Sequence, residues 1–90
     1  MTASRWTEDA VRAAVQQEFA AALPDAELAG AALAGEDNFF RRGGDSLGML
    51  RLISALDSRG LAVTAREFVT EPTPDAVVRN ILARIAQTAG

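Results

Sequence analysis

Apolar residues recur along this chain with the period of a helix. Val11, Val15, Phe19, Ala22 and Leu23 fall on one stripe, and Arg12, Gln16, Gln17 and Glu18 lie mainly off it, so the spacing predicts a first helix with one buried face. Thr7 stands as its N-cap, Glu8 and Asp9 follow where the helix dipole favours anions, and Trp6 can staple onto Val11. Pro24-Asp25 ends the pattern. Met49, Leu52, Ile53 and Leu56 form the buried arc of a second helix, running from about Ser46 to Arg59, with Asp45 or Ser46 as cap and Gly60 as the stop. Thr64-Ala65-Arg66-Glu67 matches a capping box with Val63 and Phe68 at the staple positions, which predicts a short third helix ending before Pro72. Thr73-Pro74 opens a fourth, with Val77, Val78, Ile81, Leu82 and Ile85 on its apolar face and a frayed tail expected from Gln87 to Gly90. No segment alternates as a strand would. The expected fold is all-α, a four-helix bundle with a short third helix and a long loop between helices 1 and 2.

That loop, from Pro24 to Gly44, is rich in Ala and Gly and has only Leu28, Leu33, Phe39 and Phe40 as large apolar residues. A structureless loop of this length is uncommon in a compact domain unless its own side chains pin it. Leu33 and at least one Phe are the expected pins, and residues from Ala26 to Leu33 can form a short helical turn. Leu47 presents the opposite puzzle. At roughly 100° per residue it projects away from the buried arc, beside Arg51, Ser54 and Ser58, with Leu50 on the boundary.

Composition narrows the chemistry. The chain has 90 residues, 49% hydrophobic and 23% charged, which suits one soluble domain covering 1–90 with a modest core. There is no Cys, so disulfides and thiolate sites are excluded, and no His. The net charge of -3 is unlike that of a surface that releases counterions from a duplex, so nucleic acid is not an expected partner. No apolar run is long enough to span a membrane and none opens the chain as a signal peptide, which makes a cytoplasmic protein the expectation.

The stretch Gly44-Asp45-Ser46-Leu47-Gly48 matches the G-x-S-x-G elbow of serine hydrolases. The match fails on chemistry. A serine hydroxyl needs a positioned base, and every basic residue here is Arg, so neither His nor Lys is available to activate Ser46. The preceding Glu36 to Gly44 segment does not read as the strand that an elbow requires, and no phosphate-loop string is present. Taken alone, Asp45-Ser46 after two glycines would be a helix cap and nothing more.

The wider string decides otherwise. Asp37-Asn38-Phe39-Phe40-Arg41-Arg42-Gly43-Gly44-Asp45-Ser46-Leu47 resembles the D-x-F-F-x-x-G-G-D/H-S-L signature of carrier protein domains in nonribosomal peptide synthesis, and Arg66 to Thr73 resembles that family's R-D-L-F-x-x-P-T segment. Arg42, Gly48 and Met49 depart from the usual pattern, in which these places often hold an apolar residue, a better helix former and a small residue.

The resemblance implies a function. Ser46 is the expected attachment point of a 4'-phosphopantetheine arm, added from coenzyme A by a phosphopantetheinyl transferase, with Gly44 and Asp45 beside it. The arm's thiol would hold cargo as a thioester, so a chain without Cys could take part in thioester chemistry without being an enzyme itself. Leu47, Leu50, Arg51 and Val69 are the expected partner-binding residues, and the partners implied are the transferase, an adenylation enzyme and downstream condensation or tailoring enzymes. Helix 2 carries Arg51 and Arg59 but, after Asp45, only Asp57 as an acid, which favours a peptidyl carrier over a fatty-acid type. The initial Met1, single-domain length and absence of linker sequence suggest a free-standing carrier, and a monomer is expected. The alternatives are an acyl or aryl carrier of polyketide or siderophore-type synthesis and, from a different class, a small helical adaptor without a prosthetic group.

Overall fold

The computed structural model describes residues 6–23 and 34–89, and the expected Leu33 pin and the turn from Ala26 to Leu33 lie outside them. Four helices are described: α1 (Glu8–Ala22), α2 (Ser46–Ser58), α3 (Ala65–Thr70) and α4 (Pro74–Ala89). Among the described residues there is no strand. The all-α fold class is therefore as expected, with α1 packed against both α2 and α4 and the short α3 packed against both of those in turn.

Local chemistry sets most of the boundaries. The Ala10 N–H donates to Thr7 Oγ1 at 3.1 Å, and Trp6 lies partly buried against the core that contains Val11, as a staple requires. Asp45, rather than Ser46, caps α2. That helix stops one residue earlier than expected, with Arg59 as C-cap; the Gly60 and Leu61 N–H groups turn back to the Asp57 and Leu56 carbonyls, both at 2.9 Å. This reverse pairing needs a left-handed residue after the cap, and Gly60 supplies it with φ 87. The α3 capping box is reciprocal: Thr64 Oγ1 accepts from the Glu67 N–H and Glu67 Oε1 from the Thr64 N–H, each at 3.1 Å. Helical backbone continues in α4 to Ala89, past the expected fray at Gln87.

The core takes the predicted stripes with a few adjustments. Val11, Val15, Phe19, Met49, Leu52, Leu56, Phe68, Val77, Val78 and Ile81 are buried, joined by Ala14, which the large-residue stripe overlooked. Ala22, Ile53, Leu82 and Ile85 lie at its edge, only partly covered. Beside it, Glu67 receives two contacts from Arg84, whose Nη1 also donates to the Ala62 carbonyl at 2.7 Å. This bridges α4 to the segment before α3.

Phe39 is the loop's contribution to the core. It is fully buried, with its ring edge-on to Phe19 at 5.7 Å and to Phe68 at 5.3 Å, while Phe40 remains on the surface. Truncation of a buried Phe costs about 3 to 5 kcal/mol. Phe39→Ala is therefore expected to lower the melting temperature sharply and Phe40→Ala only slightly, a contrast that thermal unfolding will measure.

The Glu67 carboxyl is held below the ordinary glutamate range, first by its hydrogen bonds with Arg84 and then by the Thr64 N–H. A carboxyl depressed on folding stabilises fully above its unfolded value, and that contribution is lost as pH falls through the lower folded value. Glu67→Gln should thus lower stability at neutral pH and make the acid limb of the stability curve shallower, measured by urea unfolding from neutral to strongly acidic pH.

Candidate functional site

The site is assembled where the described end of the long loop enters α2. Asp37 Oδ2 accepts the Ala34 N–H at 2.8 Å and Arg42 Nη2 at 2.9 Å, which ties both ends of the turn to one carboxylate. Arg42 is thus a loop anchor. Asn38 Oδ1 accepts the Phe40 and Arg41 N–H groups at 2.9 and 3.1 Å, so a short polar side chain replaces the missing ladder partners of the turn. The Phe39 N–H donates to the Pro72 carbonyl at 2.8 Å, and the Phe39 carbonyl accepts the Gly44 N–H at 3.0 Å. Backbone and ring together fasten the loop to the segment after α3.

The two glycines before Asp45 have different roles. Gly43 adopts φ 97, in the left-handed region that favours glycine. Gly44 rests on the Phe39 ring so closely that a Cβ would collide with it. The chain can therefore turn over a buried aromatic ring and enter α2 directly.

Ser46 is the first residue of that helix and is exposed. Asp45 Oδ1 accepts the Gly48 N–H at 2.8 Å, and the N–H groups of Ser46 and Leu47, in the helix's first turn, have no carbonyl partner among the described residues. The Ser46 hydroxyl also has no partner there. Free N–H groups and the positive end of the helix dipole favour an anion esterified at this hydroxyl. Gly48, which sequence reasoning could treat only as a weak helix former, is buried; a Cβ there would lie 3.1 Å from the Ala22 carbonyl oxygen and 3.2 Å from the Phe39 ring. The missing side chain lets the start of α2 approach the end of α1.

Leu47, Leu50 and Val69 are 56%, 55% and 53% exposed, and Arg51 is exposed as well. Leu47, Arg51 and Asp45 line an open groove of about 220 Å³ with Leu23, Gly43 and Gly48. Leu47 and Arg51, one turn apart, therefore sit together beside the Ser46 end of α2. Val69 is carried separately by α3, which packs against α2. Phe40, 37% exposed, has its ring 6.0 Å from that of Phe68 and was missed as a surface residue, because the sequence does not say which of two adjacent Phe turns inward.

No strand leads into Ser46, no His or Lys occurs in the chain, and among the described residues no group of His, Cys, Asp or Glu could hold a metal. A family model described as the phosphopantetheine attachment site matches residues 13–81. The chain belongs to this family. It is that of acyl and peptidyl carrier domains, which bear 4'-phosphopantetheine, act in general as non-catalytic acyl shuttles, and interact with phosphopantetheinyl transferases and synthetase enzymes. No curated protein and no solved structure matches the chain. Among the described residues no helix is long and apolar enough to cross a membrane.

The residues present fit the group that this carrier family bears: an exposed hydroxyl, unused backbone donors, glycines in place of bulk, and no competing base. The cap and the apolar neighbour should separate on mutation. Asp45→Ala is expected to cost about 0.5 to 2 kcal/mol by stranding the Gly48 N–H. Leu47→Asp, at an exposed position, should leave circular dichroism and melting nearly unchanged yet slow modification by a phosphopantetheinyl transferase at least about tenfold. Urea unfolding and transfer kinetics on both variants check this.

Proposed function

We propose that Ser46 is the attachment point of the 4'-phosphopantetheine and that the chain is a peptidyl carrier of nonribosomal peptide synthesis. The observation that carries the assignment is the exposed, unpartnered Ser46 hydroxyl at the start of α2, inside the matched residues. Gly44 and Asp45 flank it. Leu47, Leu50, Arg51 and Val69 form the surface offered to partners: the transferase, an adenylation enzyme that loads the carrier, and condensation or tailoring enzymes that receive from it. Residues 1–90 make up one phosphopantetheine-binding carrier domain, working in the cytoplasm as a monomer.

The peptidyl type is supported by the charge of α2 and its C-cap, where after Asp45 Arg51 and Arg59 stand against Asp57 alone. An acyl or aryl carrier of polyketide or siderophore-type synthesis is the second reading, since the same attachment chemistry serves all three.

The division of labour follows from what the chain lacks. When bound, the prosthetic group supplies the thiol that this Cys-free chain does not have, and with it the means of carrying acyl groups. Asp45 holds the first turn of α2 in register, so that Ser46 Oγ faces solvent and gives its proton to a base on the modifying enzyme. The N–H groups of Ser46 and Leu47 remain to offset the negative charge of the attached phosphodiester.

Incubation with coenzyme A and a broad-specificity phosphopantetheinyl transferase should add one phosphopantetheine, seen by intact mass. Ser46→Ala should stay helical and gain nothing. The unmodified protein should not hydrolyse simple esters. Modification at another residue, or ester turnover that vanishes in Ser46→Ala, would contradict the assignment.

A further inference from the structure

The groove beside Ser46 does not end there. Its first hollow, of about 220 Å³, is lined by Asp45 and Leu47, the two neighbours of Ser46, and by Leu23 and Arg51. A second hollow, of about 180 Å³, reaches Glu18, Leu52 and Ala55, and the two share Ala21, Ala22 and Arg51. Together they follow the seam between α1 and α2. Leu47, Arg51 and Ala55, each one turn from the next, make the α2 wall, and Glu18, Ala21 and Ala22 make the α1 wall. At the rise of an α-helix, Ala55 lies about 13 Å along α2 from Ser46. Among the described residues Arg51 is the one cation lining either hollow, and it has no hydrogen-bond or ion-pair partner there. Glu18 is ion-paired to Arg59 at 2.8 Å, and Asp45 accepts the Gly48 N–H. Side chains on a helix lean toward its N-terminus, which carries the Arg51 head over the turn of Leu47 and toward Ser46.

We propose that this groove on the α1–α2 seam is a binding site for the chain's own pantetheine arm, with Arg51 holding the phosphodiester end and the alanine-lined hollow taking the slim amide-linked end. This rests on the assignment of the arm to Ser46 and adds a place for it on the carrier itself. Length agrees. The arm has about thirteen bonds from phosphorus to sulfur, and at roughly 3.5 Å per three bonds of an extended chain it reaches about 15 Å, close to the length of the groove. The order of its chemistry agrees as well: an anion, a branched apolar carbon and a thin polar chain meet a guanidinium, Leu23 and Leu47, and then Ala21, Ala22 and Ala55. Attachment at Ser46 would put a second anion beside Asp45, and Arg51 with the free N–H groups of the first turn offsets the pair. A weak contact is sufficient here, because a short flexible tether holds the arm at an effective concentration on the order of millimolar. Docked and extended arms then exchange readily, and a partner that covers Leu47 and Arg51 takes over part of the groove's lining and favours the extended arm.

The test compares magnetic resonance spectra of the isotope-labelled full chain before and after transfer of phosphopantetheine from coenzyme A. Modification should shift the amide and methyl resonances of Ala21, Ala22, Arg51, Leu52 and Ala55, well beyond the turn that holds Ser46. Pantetheine protons should show nuclear Overhauser contacts with the Ala21 and Ala55 methyl groups. In Arg51→Gln those contacts should weaken roughly two- to fivefold, the range expected for loss of one exposed ion pair. In Ala55→Met, which fills the far hollow, the contacts beyond Arg51 should disappear. Both variants are checked for wild-type circular dichroism and taken to full modification, read by intact mass. Shifts confined to residues 44 to 48, contacts that neither substitution alters, or arm contacts with Leu50 and Val69 in place of the α1 residues would overturn the proposal. Intact mass of the wild-type chain separates the two claims. A chain that gains phosphopantetheine on Ser46 without contacts in the groove refutes only the groove; a chain that gains none refutes the carrier reading.

Discussion

The Phe39 ring, pressed between Phe19 of α1 and Phe68 of α3 with Gly44 lying over it, is the contact on which the presentation of Ser46 depends. A loop of polar and small residues has little apolar surface of its own to hold it in place, and burying one Phe side chain contributes about 1.5 to 3 kcal/mol. The ring's own backbone completes the attachment through the Pro72 carbonyl and the Gly44 N–H. Any larger residue at Gly44 would meet the ring, so the aromatic residue and the glycine depend on each other. Gly48 extends the same arrangement, because its bare backbone lies against both the Phe39 ring and the end of α1.

The site that results is simple in chemical terms, and this suits a shuttle. A hydroxyl with a base beside it would be an unwanted nucleophile near activated acyl groups. Here the hydroxyl stands free in a chain with neither His nor Lys, and the carboxylate next to it is occupied with its own helix. Reactivity is left to the partner enzymes and the prosthetic group. On the proposed reading, the carrier contributes an accessible hydroxyl at Ser46, a helix end that favours an anion, and the exposed Leu47, Leu50, Arg51 and Val69.

Much of this was legible in the sequence, and the reasons are local. Thr7, the Thr64–Glu67 box, Pro74 and Gly60 act through backbone groups within a few residues, so their identity and spacing are sufficient to place helix ends. The exposure of Leu47 followed from its angle on α2. What could not be read was tertiary. Which of Phe39 and Phe40 turns inward depends on Phe19 and Phe68, and the value of Gly48 lies in an approach to Ala22. The pairing of Arg59 with Glu18 joins residues far apart in sequence, and only such pairings reveal which arginines are left over. Arg42, which departs from the family pattern, turned out to close the turn onto Asp37.

Native-state hydrogen exchange on wild type and Phe39→Leu tests most directly whether this ring holds Ser46 and the start of α2 in place. The amides to follow are those of Phe39, Gly44 and Gly48, which donate to Pro72, Phe39 and Asp45 respectively. They should be protected in the wild type and should lose protection together in the variant, at denaturant concentrations where the α1 and α4 amides still exchange slowly. Unchanged protection at Gly44 and Gly48 in a variant whose Phe39 amide has opened would contradict the account, because the start of α2 would then be held by something other than this ring.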